Sequence, residues 1–160
     1  MQCFLLKGYA GTGKTSIVSA LVRAMHELEQ KTVLLAPTGR AAKVFSVYSG
    51  MEATSIHKKI YRQKSVSDFH FMLNYNKAKD TLFIVDEASM IGDSVAENNI
   101  FGSGRLLDDL IEYVYSGDNC RMILLGDTAQ LMPVGQNYSP ALDRKVLEKS
   151  ALDITEYTLT

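Results

Sequence analysis

The run Gly8-Tyr9-Ala10-Gly11-Thr12-Gly13-Lys14-Thr15 constrains this chain more than any other stretch. It stands between a short apolar segment, Cys3 to Lys7, that reads as a strand and a segment from Gly13 to about Leu28 that reads as a helix. In the latter, Ile17, Leu21, Ala24, Met25 and Leu28 are spaced to form one apolar stripe. A strand, a glycine turn and a helix in that order aim backbone N–H groups and the positive helix end at one point, a receptor for phosphate oxygens. The glycines permit the tight turn, Lys14 is placed to reach the β- and γ-phosphates of a nucleotide, and the Thr15 hydroxyl to bind Mg²⁺. Gly8, Ala10, Gly11, Thr12, Gly13, Lys14, Thr15 and Ser16 are the candidate nucleotide-binding residues.

The remainder of the chain alternates strands with helices, the pattern of a mostly parallel sheet covered on both faces, an α/β fold. Thr32–Ala36 reads as a second strand, Gly39 to about Tyr48 as a helix, and Thr54 or Ser55 as the cap of a short helix through about Tyr61. Arg62 to Asp80 is polar and irregular, but Phe69, Phe71, Leu73 and Tyr75 alternate like a half-exposed strand. Thr81–Asp86 and Arg121–Gly126 are further buried strands, with a helix between them whose core face is Leu106, Leu107, Leu110, Ile111 and Val114. Ser139-Pro140 reads as an N-cap and first helical residue, opening a helix to about Lys149.

With 160 residues, 46% of them hydrophobic, and 17 basic residues nearly cancelling 18 acidic ones, the chain suits one soluble domain and excludes both disorder and a globally basic coat protein. Its longest apolar runs are strand-sized, so no membrane span is expected. The N-terminal residues do not read as a secretory signal. Cys3 and Cys120, each beside an apolar run, read as buried reduced thiols, which makes a cytoplasmic location the expectation.

Phe83-Ile84-Val85-Asp86-Glu87 is a buried strand ending in two adjacent acids. Alternation along a strand sends the two side chains different ways, which suits Asp86 to hold Mg²⁺ together with Thr15, and Glu87 to orient and deprotonate an attacking water. At the next strand end, Asp127 and Gln130 read either as an ordinary polar loop or as a sensor of a γ-phosphate, because a neutral amide can bond both phosphate and water. From Arg40 to Lys64 there are six basic residues against one acid, Glu52. Charge alone reads equally as a solvated helix face or as a track for a phosphate backbone. The spacing of the three histidines gives no metal cluster, and His57 is of interest for its neighbours Lys58 and Lys59.

Together these stretches resemble the superfamily 1 helicases of the RecD-like and Dda-like 5′-to-3′ group. Leu6 to Thr15 is similar to their motif I, Ala36-Pro37-Thr38-Gly39-Arg40-Ala41-Ala42 to motif Ia, and Thr54-Ser55-Ile56-His57 to the element that follows it. Asp86-Glu87-Ala88-Ser89-Met90 resembles motif II, and Gly126 to Val134 resembles motif III. The resemblance implies a three-layer RecA-like P-loop domain, with ATP and Mg²⁺ as its ligands and Lys14, Glu87 and Gln130 in catalytic roles. It further implies that Asp127 and Gln130 help hold the nucleotide and that Gln130 senses its γ-phosphate. Pro37, Thr38, Gly39, Arg40, His57 and Lys58 fall where the family grips single-stranded DNA.

The chain is therefore expected to be one N-terminal motor domain over 1–160, monomeric, of a motor whose second RecA-like domain lies outside it. An upstream adenine-reading element and a downstream arginine finger would likewise lie outside, and loss of such a finger costs roughly 10³- to 10⁵-fold in turnover. On that expectation the 160 residues bind Mg-ATP and part of a DNA track but unwind nothing alone. Residues 62–80 fall where the family inserts a strand-separating hairpin. Two other readings of the same residues are a stand-alone kinase or phosphotransferase, with Arg62 to Asp80 as a substrate lid, and a nucleotide-binding regulatory module with no nucleic-acid role.

Overall fold

The computed structural model describes residues 2–160. Its centre is a six-stranded sheet in the order β3-β2-β6-β7-β1-β8, every neighbouring pair parallel. The strands are β1 (Gln2–Gly8), β2 (Lys31–Ala36), β3 (Ala53–Ser55), β6 (Thr81–Val85), β7 (Arg121–Gly126) and β8 (Asp153–Leu159). Two shorter strands, β4 (Tyr61–Gln63) and β5 (Phe71–Leu73), form a separate antiparallel hairpin.

Parallel strands need covered crossovers, and the apolar runs of β1, β2, β6 and β7 supply two buried faces. Leu5, Leu35, Phe83, Val85, Met122 and Leu124 belong to one core. Leu6, Leu34, Ile84 and Leu125, their neighbours in sequence, belong to the other. The first core is closed by α3 (Ile56–Ile60), α4 (Leu106–Tyr115) and α5 (Arg144–Glu148), the second by α1 (Lys14–Glu27) and α2 (Gly39–Ser49). This gives the three-layer α/β arrangement expected from the alternation of elements.

Several local expectations need correction. In α1 it is Val18 and Val22 that are buried, with Leu21 and Met25 beside them, whereas Ile17 and Leu28 are exposed. The start of α1 is set by the loop that precedes it, and this phase turns the valines onto Leu6, Ile84 and Leu125. The helix expected from Ser139 to Lys149 is broken. A 3₁₀ turn over Pro140–Leu142 ends at Asp143 in extended conformation, and the Asp143 carboxylate caps α5 by accepting from Lys145 N at 2.9 Å. The strands β3 and β8 were not expected, and β8 pairs with β1 along seven residues, with Lys7 and Glu156 in an ion pair of 2.6 Å across that edge. Of the two possible caps for α3, Ser55 is the one used, accepting from Lys58 N at 3.2 Å.

The hairpin is fastened to the body by a polar anchor inside an aromatic cluster. The Tyr61 hydroxyl donates to Asp109 Oδ2 at 2.5 Å, and the same carboxylate accepts from the Ser103 amide at 3.1 Å and the Ser103 hydroxyl at 2.7 Å. Around it the Phe101 ring packs on Tyr61, Phe71 and His57, with centroids 4.8 to 5.3 Å away. Backbone bonds Phe71 N to Ile100 O at 2.7 Å and Gly102 N to Phe71 O at 2.8 Å lace β5 to the 92–105 loop.

Asp109 is buried, so its removal strands a buried tyrosine hydroxyl and an amide together. Asp109→Ala is expected to lower stability by about 2 to 4 kcal/mol. Tyr61→Phe, which keeps the ring packing, is expected to cost only about 1 kcal/mol. Urea unfolding midpoints followed by far-UV circular dichroism check both, and equal losses would show that ring packing rather than the carboxylate fastens the hairpin.

Candidate active site

Because the strands are parallel, the C-terminal ends of β2, β6, β7 and β1 stand side by side on one edge of the sheet. In that order they deliver the 37–40 turn, the acidic pair, the Asp127 loop and the glycine loop. A cavity of about 960 Å³ opens there. Its wall includes Ala10, Gly11, Gly13, Lys14, Thr15, Asp86, Glu87 and Gln130, together with Thr38, Arg40 and Tyr48.

The glycine loop has the shape of an anion cradle. Gly11 and Gly13 have φ of 82° and 84°, left-handed values that other residues adopt at a cost, and Gly13 is also the cap of α1, with no side chain covering the first amides of the helix. The Thr12 hydroxyl turns back to the Tyr9 carbonyl at 2.7 Å and so braces the loop. Lys14 Nζ rests on the carbonyl of Gly8 at 3.4 Å, above the cradle. A Cβ on Gly8 would stand 2.7 Å from Thr12 Oγ1 and 3.3 Å from Leu159 Cβ, which explains glycine there.

Asp86 and Glu87 follow directly after β6, and because Glu87 leaves the extended conformation, strand alternation does not set their directions: both line the cavity. Asp86 is 8% exposed, and both of its carboxylate oxygens are held. Oδ1 accepts from the Glu87 amide at 2.9 Å, and Oδ2 accepts from the Tyr48 hydroxyl. Burial, followed by the nearby Asp86 charge, pushes the Tyr48 phenol far above its ordinary range and keeps it a proton donor. Glu87 has φ 53° and ψ 37°, a left-handed conformation unusual for a residue with a side chain, of the kind that concentrates at functional positions. Its carboxyl is raised above the ordinary value, first by burial and then by Asp86, with a smaller contribution from Asp127, while Lys14 opposes the shift.

The other candidate residues are distributed unevenly. Asp127 is buried behind the wall, its carboxylate accepting from Ala129 N at 2.8 Å, so it shapes the loop that presents the exposed Gln130. Gly8, Thr12 and Ser16 do not line the cavity; the first two shape the loop, and Ser16 is exposed on the first turn of α1. Pro37 is buried, and the Thr38 hydroxyl is engaged as the cap of α2, accepting from Ala41 N at 3.1 Å. Arg40 is exposed on the wall of the same cavity as the glycine loop. Lys58 is exposed, whereas His57 is half-buried against Phe101 and its pKa is lowered by that burial. Tyr48 was missed, because nothing local to a tyrosine near the end of α2 signals a partner 38 residues later.

Mg²⁺ in nucleotide sites takes oxygen ligands and keeps much of its shell as water and phosphate oxygens. Thr15 and Asp86 offer two such oxygens on one wall, and among the described residues no group of three or more His, Cys, Asp or Glu could hold a metal ion by itself. The donor set fits Mg²⁺ arriving with a nucleotide.

Comparison with known proteins agrees with this geometry. Residues 1–146 match the family described as the AAA domain. The ATP-dependent RecD2 DNA helicase of Deinococcus radiodurans is 33% identical over 131 residues, which are 81% of this chain and 16% of that protein. The ATP-dependent DNA helicase dda of Enterobacteria phage T4 is 30% identical over 147 residues, 82% of this chain and 29% of the relative. The chain thus spans less than a third of the length of these curated relatives. Its fold is also that of part of a crystal structure of Pif1 helicase from Candida albicans, with a TM-score of 0.61 at 16% identity over 99% of this chain and 36% of that one.

The raised Glu87 carboxyl has a consequence for stability. A carboxyl that binds its proton more tightly when folded favours the native state at low pH, and this contribution is lost as pH rises from the ordinary carboxyl value through the folded one. Glu87→Gln removes that loss. The stability of the variant relative to the parent is therefore expected to rise as pH increases through and above the ordinary carboxyl value. Thermal melts at pH values below and above that value check it, and a constant difference would contradict the assignment.

Proposed function

Since the chain belongs to the AAA domain family, we propose that it is the nucleotide-binding first motor domain of an ATP-dependent 5′-to-3′ DNA helicase, with Mg-ATP as its substrate and single-stranded DNA along its upper edge. One observation supports this above the rest. The glycine cradle, the Thr15 and Asp86 oxygens, the strained and protonation-prone Glu87, and Gln130 all open into a single cavity at one sheet edge.

In this reading the α1 amides and Lys14 hold the β- and γ-phosphate oxygens. Thr15 and Asp86 would hold Mg²⁺, which when bound would neutralise the charge that develops on the phosphates. Glu87 orients a water at the γ-phosphorus and accepts its proton as the new P–O bond forms and the bond to the β–γ bridging oxygen breaks. The raised proton affinity of Glu87 suits a base, and its left-handed backbone separates it from the metal-directed Asp86. Gln130, exposed on the loop that Asp127 braces, bonds the γ-phosphate and reports its loss.

Arg40 and Lys58 contribute to a phosphate-binding track, and Arg40 lies where it borders both that track and the nucleotide cavity. In this reading the β4–β5 hairpin parts the strands of a duplex, which the exposure of Phe69 in its connecting loop and of Tyr75 just beyond β5 supports. The two cysteines are free and buried, and burial pushes the Cys3 thiol up to about 12, in keeping with unreactive thiols and a cytoplasmic protein.

Binding of a fluorescent ATP analogue in Mg²⁺ tests the first half of this reading. The protein is expected to bind it, and Lys14→Ala to weaken binding by at least tenfold, about 1.4 kcal/mol. In the full-length parent, Glu87→Gln is expected to spare binding and reduce DNA-stimulated hydrolysis by roughly 10²- to 10⁴-fold. Arg40→Glu and Lys58→Glu are each expected to weaken single-strand binding and to reduce the salt slope by about one. Unaltered strand binding would overturn the DNA track, and γ-phosphate transfer to an acceptor other than water would overturn the hydrolase.

A further inference from the structure

Tyr48 has no assigned role in the chemistry above, yet it is tethered at both ends. Its carbonyl accepts from Ser19 Oγ of α1 at 2.8 Å, its ring packs on Phe45 with centroids 5.2 Å apart, and its hydroxyl donates to Asp86 Oδ2. Ser19 lies one helical turn beyond Thr15, whose carbonyl stands 2.9 Å from the same Ser19 Oγ, so the one hydroxyl hydrogen is shared between the two carbonyls. The tyrosine is therefore referenced to the helix that carries one prospective metal oxygen while it bonds the carboxylate that carries the other.

We propose that Tyr48 is a positioning residue for the metal site, its hydroxyl holding the Asp86 carboxylate in the orientation that receives Mg²⁺ with the nucleotide. This rests on the reading of Thr15 and Asp86 as the metal oxygens. A carboxylate has about four lone-pair sites. The Glu87 amide uses one on Oδ1 and the phenol one on Oδ2, which fixes the plane and leaves a lone pair on each oxygen for the metal. Without the phenol, Oδ2 loses its only protein donor, and the carboxylate can rotate about the single remaining bond to its own backbone neighbour. Partners that orient a ligating carboxylate in this way typically contribute 10- to 100-fold in metal affinity. The cavity face of Asp86 is bounded by Tyr48 on one side and Glu87 on the other, so no other described side chain donates to Oδ2.

The test is Tyr48→Phe, which removes one oxygen from a half-buried ring and keeps its packing on Phe45. Binding of a fluorescent ADP analogue is measured in EDTA and then along a MgCl₂ titration, with no catalytic readout. The variant is expected to bind the analogue in EDTA within about twofold of the parent, while the Mg²⁺ concentration for half-maximal enhancement rises about tenfold or more. An unchanged half-saturation would overturn the proposal. So would parallel losses with and without metal, which would make Tyr48 a general support of the pocket. Failure of the underlying nucleotide reading looks different: the parent itself would not bind the analogue, or Asp86→Ala would leave its Mg²⁺ enhancement intact.

Discussion

A parallel sheet buried on both faces is the constraint on which everything else in this domain depends. Burial on two faces demands strands that are apolar throughout, and parallel pairing demands crossovers, so the polar groups of each strand–helix unit can gather only at strand ends. The order β2-β6-β7-β1 sets four of those ends in a row. β7 lies between β6 and β1, and its Asp127 loop therefore stands between the acidic pair and the glycine cradle. No long-range device is required to assemble the cavity, because the register of the sheet already does so. The bond from Asp86 N to Leu35 O, at 2.9 Å, carries strand pairing right up to the carboxylate.

Three carboxylates, Asp86, Glu87 and Asp127, crowd this edge, with Lys14 the nearby cation that opposes the rise in the Glu87 pKa. Such a cluster is costly unless each charge is held by donors. The chain resolves this differently at each position. Asp127 takes a backbone amide, Asp86 takes an amide and a phenol, and Glu87 takes neither and shifts toward its protonated form. The difference between a carboxylate fixed in place and one with a raised proton affinity follows from which of them found donors.

What was legible in the sequence was whatever is encoded within about ten residues. The glycine cradle, the Asp86-Glu87 pair and the Asp127-to-Gln130 loop each follow directly from a recognisable strand. The apolar stripe of α1 was displaced onto Val18 and Val22 because helix phase is set by the loop before it and not by composition. Tyr48, the β8 edge and the Asp109 anchor were invisible for a different reason. Each depends on partners far along the chain, and neither a tyrosine on a helix nor the mixed sequence Asp153 to Leu159 carries a periodicity that names its neighbour.

The same long-range contacts join the parts of the site mechanically. The 92–105 loop leaves the acidic strand and meets the Asp127 loop, where the Gln136 amide donates to Asp93 Oδ1 at 2.6 Å and its oxygen accepts from Asp93 N at 3.2 Å. It then inserts Phe101 among the rings at the hairpin base and enters α4 beside the buried Asp109. One continuous segment is thus bonded in turn to the Gln130-bearing loop and to the hairpin. On the opposite side α2 begins at Gly39, next to the Thr38 cap and Arg40, and ends one residue after Tyr48, whose phenol reaches Asp86. A helix transmits displacement along its axis because its backbone bonds are satisfied internally. The turn after β2 and the Asp86 carboxylate are therefore linked through one helix and one phenol bond. The turn that carries Arg40 is thus connected to the Asp86 carboxylate through α2 and the Tyr48 phenol, and the Gln130-bearing loop to the hairpin base through the 92–105 segment, all within this one domain.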